Sequence, residues 1–133
     1  MEYLIDTQIL IWYLEDDRRL SPKILEILSK RENIIWVSQI SFFEIAIKKT
    51  LGKFETFTVS IEYLLNQVKM DGFQILNLKN THITSYKDIP LLANHKDPFD
   101  RLLLATSLSE KITIISADEK FKNYTSIINL IEA

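Results

Sequence analysis

The sequence predicts an α/β fold, namely a three-layer α/β/α sandwich whose central, mostly parallel sheet has about five strands. Two observations lead to this prediction. Short apolar runs rich in Ile and Val alternate along the chain with stretches that have helical spacing. Most of these runs are apolar at consecutive positions, which is typical of strands buried on both faces of a sheet.

Each apolar run is taken as one strand, and the stretches between the runs are taken as helices. The predicted strands cover residues 3–5, 34–37, 73–78, 112–115 and 127–131. The predicted helices cover residues 9–14, 22–29, 42–51, 61–70, a weaker 82–87, and 98–108. Three helix starts carry capping signals: Ser-Pro at 21–22, a Ser-x-x-Glu capping box at 41–44, and Asp-Pro-x-Asp at 97–100.

Length and composition limit the possible classes of protein. A chain of 133 residues, 47% of them hydrophobic, suits a single packed domain over 1–133 and excludes global disorder. The absence of Cys excludes disulfides, thiolate nucleophiles and Cys-type metal sites. The longest uncharged stretch, 33–43, is too short to span a bilayer, and no basic signal start is present. We therefore expect a cytoplasmic protein without membrane contact.

Four carboxylates are predicted to meet at one edge of the sheet. Asp6 directly follows the first predicted strand, and Asp118 comes after the strand 112–115 and the residues Ser116 and Ala117. Glu44 and Asp100 lie in the first turns of two predicted helices. These positions share the carboxyl edge of a parallel sheet, where ligands bind. Gathered carboxylates repel each other unless cations neutralise them, and Mg²⁺ or Mn²⁺ is the usual partner. Such ions activate water and assist phosphoryl displacement.

Simpler explanations exist for each acid taken alone. Helix capping would also select Glu44 and Asp100, and it is the favoured explanation for Asp97. Asp6 and Asp118 could open turns. The joint pattern favours chemistry, because an acid at the end of a buried strand contributes nothing to sheet packing.

The remaining polar and aromatic candidates have weaker signals. Lys48, Lys49, Lys53 and Arg101 suit a solvated face, with phosphate contact as the alternative. The two histidines, at 82 and 95, are expected to have surface or structural roles. The aromatic residues at 12, 36, 42 and 43 are expected in the core rather than as base-stacking platforms. The formal net charge of -2 counts against a strong nucleic-acid field.

With these residues placed, the sequence resembles the PIN-domain family, and within it the VapC-type ribonuclease toxins of type II toxin-antitoxin pairs. The resemblance runs along nearly the whole chain. It rests on YLIDT at 3–7, SFFEIAIK at 41–48 with LGK at 51–53, HKDPFDRLLLA at 95–105, and SAD at 116–118 with Phe121 and Tyr124. The order of these blocks in a chain of this length makes the resemblance specific.

The resemblance implies a compact PIN-like α/β/α fold that binds Mg²⁺ or Mn²⁺ and hydrolyses RNA phosphodiesters. The four acids of the family fall on Asp6, Glu44, Asp100 and Asp118 of this sequence. Supporting polar positions fall on Thr7, Ser41 and Ser116, where Ser116 replaces the more usual Thr, and Asp97 could be a further support. The resemblance also implies a homodimer and a cognate antitoxin that covers the acidic pocket.

We therefore expect a Mg²⁺- or Mn²⁺-dependent endoribonuclease, the toxin of a toxin-antitoxin pair. Asp6, Asp100 and Asp118 would hold the metal, and Glu44 would hold metal or orient the attacking water. One alternative enzyme is a dehalogenase-type phosphatase, but Gln8 stands where its second Asp belongs. The other alternative is a non-catalytic RNA-binding or scaffold module with the same fold.

Overall fold

The computed structural model describes residues 1–53 and 58–133. The strands are β1 Glu2–Ile5, β2 Ile34–Ser38, β3 Gln74–Leu76, β4 Thr113–Ser116 and β5 Leu130–Glu132. The helices are α1 Thr7–Leu14, α2 Pro22–Ser29, α3 Gln39–Thr50, α4 Ile61–Met70, α5 Asn80–Ser85 and α6 Pro98–Glu110. Short 3₁₀ helices cover Tyr86–Asp88 and Glu119–Tyr124. Among the helices of these two ranges, none has the length and apolar character needed to cross a membrane.

The five strands form one sheet in the order β3-β2-β1-β4-β5, and every neighbouring pair is parallel. The chain moves outward from β1 to β3 and then returns to place β4 on the other side of β1. The direction of the connections therefore reverses between β1 and β4. In an open parallel sheet, such a reversal opens a crevice at the carboxyl ends of the two strands.

Two apolar cores pack on the two faces of this sheet. Ile5 and Ile115 face the core that α1, α2, α3 and α4 cover. Leu4 and Ile114 face the opposite core, which α6 and the 3₁₀ helix Glu119–Tyr124 cover, and α5 packs against α6. Because both faces are covered, the strands are apolar at consecutive positions. The predicted three-layer α/β/α sandwich is confirmed.

Helix α3 begins three residues earlier than predicted. The cap is Ser38, the last residue of β2, whose Oγ accepts a hydrogen bond of 3.1 Å from the backbone N of Ile40. The predicted capping box at Ser41 is therefore wrong, and Glu44 lies in the second turn rather than the first. The reason is that β2 runs directly into α3, so the strand's own terminal hydroxyl caps the helix.

The last strand also begins later than predicted. Strand β5 covers Leu130–Glu132, whereas residues 127 and 128 close a helical turn. The backbone N of Ile128 donates to the carbonyl of Tyr124 at 3.1 Å. Ile128 is apolar because it packs in the core, which explains why its sequence resembles a strand.

Some exposure predictions were wrong. Phe42 is buried as expected, but Phe43 is 58% exposed. Its ring lies edge-on to that of Phe99, with the centroids 6.1 Å apart. His82 and His95 are both buried, so the structural role holds for them and the surface role does not.

Replacing the α3 cap should lower the stability of the fold. In Ser38→Ala, the backbone N–H of Ile40 loses its acceptor, so the free energy of unfolding should fall by about 1 kcal/mol. Urea denaturation measures this change. The control is Ser109→Ala inside α6, where Ala has the better helix propensity and no loss is expected. An unchanged midpoint for Ser38→Ala would contradict the assignment of the cap.

Candidate metal centre

The crevice between the ends of β1 and β4 is an acidic pocket of about 390 Å³. Its lining includes five carboxylates: Asp6, Glu44, Asp97, Asp100 and Asp118. The first follows β1, the last follows β4, and the others come from α3 and the start of α6. The structure thus brings together the four acids that the sequence singled out, together with Asp97. Their convergence follows from the reversal of the connections at this edge.

Asp6 is held from two sides. Its Oδ1 accepts a hydrogen bond of 2.8 Å from the backbone N of Ile9, so it caps helix α1. Its Oδ2 accepts a hydrogen bond of 2.5 Å from the Ser116 hydroxyl. The same hydroxyl oxygen accepts from the backbone N of Asp118 at 3.0 Å. Ser116 therefore fixes the two strand-end acids relative to each other.

The buried position of Asp6 changes its acidity. Burial raises the pKa of this carboxyl to about 6, although the hydrogen bonds from Ser116 and the backbone N of Ile9 oppose the shift. The nearby charge of Asp100 raises it further. The ionised form is thus destabilised, which is the expected condition of a carboxylate that lacks a cation.

Glu44 lies nearby with one oxygen unpaired. Its Oε2 is 3.2 Å from the Nζ of Lys48, one turn further along α3. Its Oε1 is buried and has no hydrogen-bond partner, and within residues 1–53 and 58–133 only the indole Nε1 of Trp12 shares this condition. Both residues line the acidic pocket. A buried polar atom without a partner is costly, so each indicates a missing partner.

A pair of hydroxyls joins the two helices that carry Asp6 and Glu44. Thr7 Oγ1 donates to Ser41 Oγ at 2.9 Å, and both residues are buried. Thr7 lies in the first turn of α1, and Ser41 lies in α3. Two of the predicted supporting residues, Thr7 and Ser41, therefore contact each other beside the pocket.

Asp97 and Asp100 open helix α6 but have different contacts. Asp97 Oδ1 accepts from the backbone N of Phe99 at 2.9 Å and of Asp100 at 3.2 Å, so its predicted capping role is confirmed. Burial raises the pKa of Asp100 to about 6, opposed by a hydrogen bond from His95. The charges of Asp97 and Asp118 raise it further.

His95 is a site residue that the reasoning from residue types missed. Its Nε2 lies 3.1 Å from Asp100 Oδ2. One ligand atom each from His95, Asp100 and Asp118 lie within 4.8 Å of one another, a spacing that a metal ion could use. Two lone histidines in a sequence carry no signal of this contact. The available signal was the resemblance, because its third block begins at residue 95.

Arg19 is the second residue that the sequence did not identify. It lines the pocket, and its guanidinium lies 5.1 Å from the centre of the Trp12 ring. Asp17 holds it through a contact of 2.7 Å between Nη2 and Oδ2. Positive charge therefore stands at the rim of the acidic pocket, supplied by Arg19 and Lys48.

Arg101, by contrast, has a structural position. It is buried, and its guanidinium donates to the carbonyls of Ile89 at 2.9 Å and Pro90 at 2.8 Å and to the Tyr86 hydroxyl at 3.2 Å. These bonds fix the loop before α6. Of the two roles considered for Arg101, the structural one fits this position, since Arg101 is not among the residues that line the acidic pocket.

The donor set fits a hard divalent cation. Carboxylate oxygens are the ligands that Mg²⁺ and Mn²⁺ prefer. The unpaired Glu44 Oε1 and the raised pKa of the buried Asp6 carboxyl are both conditions that a cation would relieve. The donors of this pocket therefore suit one or more such ions. The positively charged side chains at its rim, Arg19 and Lys48, suit a phosphate group.

Comparisons with known proteins agree with the fold. The chain matches the family model described as PIN domain over residues 3–126. With VapBC2 from Rickettsia felis, solved bound to a DNA fragment from the promoter, the TM-score is 0.68 at 19% identity, covering 99% of this chain and 98% of that chain. With VapBC-1 from nontypeable Haemophilus influenzae, the TM-score is 0.64 at 16% identity, covering 99% of this chain and 98% of that chain.

A toxin-antitoxin complex from Klebsiella pneumoniae also shares the fold, with a TM-score of 0.60 at 22% identity over 97% of this chain and 95% of that chain. Among curated proteins, no relative matches the chain. At these identities, the likeness to the solved structures establishes a common fold.

The stability of the metal-free protein should decrease as the pH rises. The pKa of Asp6 is raised from 3.8 to about 6 in the folded state, so over this range the folded protein retains a proton that the unfolded chain has released. The shift corresponds to about 3 kcal/mol above about pH 6. Asp6→Asn should therefore be more stable than wild type in EDTA at about pH 8, and the difference should shrink towards about pH 4.

Urea unfolding across this pH range measures the effect. The matched control is Asp88→Asn, because Asp88 is exposed and is not among the residues that line the acidic pocket. This control should keep the pH-dependence of the wild type. Parallel stability curves for wild type and Asp6→Asn would show that the buried carboxylate carries no such penalty.

Proposed function

This chain belongs to the PIN domain family, and from that premise we propose that it is a Mg²⁺- or Mn²⁺-dependent endoribonuclease, the toxin of a toxin-antitoxin pair. One observation supports the proposal most directly. Four carboxylates meet at the switch point of the sheet, and one of them, Glu44, has a buried oxygen without a partner. Such a site is suited to a divalent cation.

The acids would divide the work of holding the metal. Asp6, Asp100 and Asp118 would hold it, while Glu44 would hold metal or orient the attacking water. A bound Mg²⁺ or Mn²⁺ would supply a lowered pKa for the attacking water and positive charge against the phosphoryl group. Ser116 would keep Asp6 and Asp118 at a fixed separation, since its hydroxyl bonds to both.

The rim of the pocket suits a phosphate chain. Lys48 and Arg19 place positive charge there. These groups would contact RNA phosphates as the scissile bond enters the pocket. Together with the bound cations they would offset the net charge of -2, which otherwise repels a polyanion.

The proposed partners are a cognate antitoxin and a second copy of this chain. Several structures that share the fold are described as VapBC or toxin-antitoxin complexes. A groove of about 1090 Å³ adjoins the acidic pocket, and Trp12 lines both. Leu20, Leu25 and Leu64 are among its apolar lining residues. An antitoxin segment in this groove could extend over the pocket.

Cleavage should depend on Asp100 far more than on Asp97. The two acids stand one turn apart at the start of the same helix, and Asn caps a helix about as well as Asp. Asp100→Asn removes a proposed metal ligand and should lower cleavage by at least about 100-fold, or about 2.7 kcal/mol of transition-state stabilisation. Asp97→Asn should keep most of the activity.

The assay uses a mixture of structured RNAs with Mg²⁺ or Mn²⁺, and with EDTA as a control. Urea unfolding checks that both variants remain folded. If Asp97→Asn is as damaging as Asp100→Asn, the ligand set must include both. If wild type binds these RNAs without cutting them in either metal, the non-catalytic RNA-binding or scaffold alternative is correct.

Mg²⁺ should stabilise the folded protein by linkage. An ion that binds only the native state adds about 2.7 kcal/mol when its concentration is about 100 times the dissociation constant. Urea unfolding with and without Mg²⁺ measures this gain. The double variant Asp6→Asn, Asp118→Asn should show none of it. Equal gains in both proteins would place the ion elsewhere.

A further inference from the structure

A buried histidine lies between the proposed metal ligands and the core. His95 is 2% exposed, and Tyr124 beside it is fully buried. His95 Nδ1 lies 2.9 Å from the Tyr124 hydroxyl, and His95 Nε2 lies 3.1 Å from Asp100 Oδ2. Both ring nitrogens are therefore engaged, one on the core side and one on the pocket side.

The chemistry of the partners sets the direction of these two bonds. An ionised carboxylate can only accept, so His95 Nε2 carries the hydrogen that it donates to Asp100. In the neutral imidazole, Nδ1 is then an acceptor, and the Tyr124 hydroxyl donates to it. The Asp100 carboxylate thus sets the tautomer of His95, and the Tyr124 hydroxyl stabilises that tautomer by donating to Nδ1.

This chain of bonds joins the two segments that carry the pocket acids. Tyr124 ends the 3₁₀ helix that begins immediately after Asp118, whereas Asp100 lies in the first turn of α6. The His95 ring also packs against Phe121 of the same 3₁₀ helix, with the centroids 5.7 Å apart. His95 therefore connects Asp100 to the 3₁₀ helix that follows Asp118.

We propose that His95 is a positioning residue: the Tyr124–His95–Asp100 chain holds the Asp100 carboxylate beside Asp118, so that the site is assembled before an ion arrives. This inference rests on the proposed metal site. Hydrogen bonds behind a metal ligand typically change metal affinity by about 10-fold to 100-fold. Without the chain, Asp100 would have to be ordered by the ion itself.

The spacing would also let His95 be a ligand, because one of its ring nitrogens belongs to the group of atoms within 4.8 Å of one another. Two observations favour positioning instead. The His95 side chain is 1% exposed, and its Nε2 is already directed at Asp100. An imidazole that ligates through Nε2 must give up that hydrogen, and with it the bond to the carboxylate.

The test compares two buried histidines that both face a carboxylate. His82 is also buried, and it lies in α5, away from the acidic pocket. Its Nε2 is 3.1 Å from Glu110 Oε2. Calorimetric titration with Mn²⁺, and separately with Mg²⁺, measures the affinity of each variant. His95→Leu should bind about 10-fold to 100-fold more weakly than wild type. His82→Leu should bind as wild type does.

Tyr124→Phe is the milder variant, in case His95→Leu does not fold. It removes one oxygen, keeps the ring in the core, and leaves His95 free to adopt the other tautomer. Its affinity should fall in the same direction by a smaller factor. His95→Gln, which can present an amide donor near the position of Nε2, should recover part of the affinity that His95→Leu loses.

Nitrogen-15 NMR of the His95 ring gives a signature that a purely structural role does not produce. Nε2 should be protonated in the metal-free protein and should remain so when Mg²⁺ saturates the site. Loss of the Nε2 proton on Mg²⁺ binding would make His95 a ligand and overturn the proposal. Wild-type affinity in both folded His95→Leu and Tyr124→Phe would overturn it as well.

These outcomes separate the inference from the proposed function. If wild type itself binds neither Mn²⁺ nor Mg²⁺, the metal-dependent nuclease is wrong, and the positioning role is overturned with it. If wild type binds and loses binding in Asp6→Asn, Asp118→Asn, but not in the His95 and Tyr124 variants, the metal site stands and only the positioning role is wrong.

Discussion

The cost of burying several carboxylates in one pocket is the constraint on which the rest of this structure depends. Burial raises the pKa of Asp6 and of Asp100 to about 6, and neighbouring acids add to both shifts. The fold offsets part of this cost locally, because Asp6 caps α1 and Asp97 caps α6. The remainder is the condition that a divalent cation would relieve.

The pocket is held together by short-range and long-range hydrogen bonds, and the long-range ones join Ser116 to Asp6 and His95 to Tyr124. The Ser116 hydroxyl connects Asp6 with the backbone of Asp118, and His95 reaches from Asp100 to Tyr124. Together these bonds restrain the carboxylates of Asp6 and Asp100 and the backbone that carries Asp118. We expect an acidic pocket assembled in this way to lower the stability of the metal-free protein, which is the usual relation between stability and function at a preorganised site.

The sequence predicted the positions of the pocket acids well, but it predicted the helix cap near them and the direction of some side chains poorly. Asp6 and Asp118 could be located because an acid that closely follows a buried apolar strand contributes nothing to sheet packing. The capping box at Ser41 was wrong because the preceding strand ends in its own capping residue, Ser38. Arg101 was ambiguous because adjacent residues on a helix point in different directions, and only the fold shows that its side chain enters the core.

The sequence by itself determined the order of the elements, most of the helix starts, and the four acids at the carboxyl edge, because periodicity and capping act over a few residues. Only the tertiary structure decided that Ser116 bonds Asp6, that Arg19 reaches the pocket rim, and that His95 faces Asp100. These contacts depend on how the α1–α2 connection, the end of β4, and α6 with the loop before it pack together. Packing of that kind adds the energies of many side chains across the chain, so no local pattern encodes it.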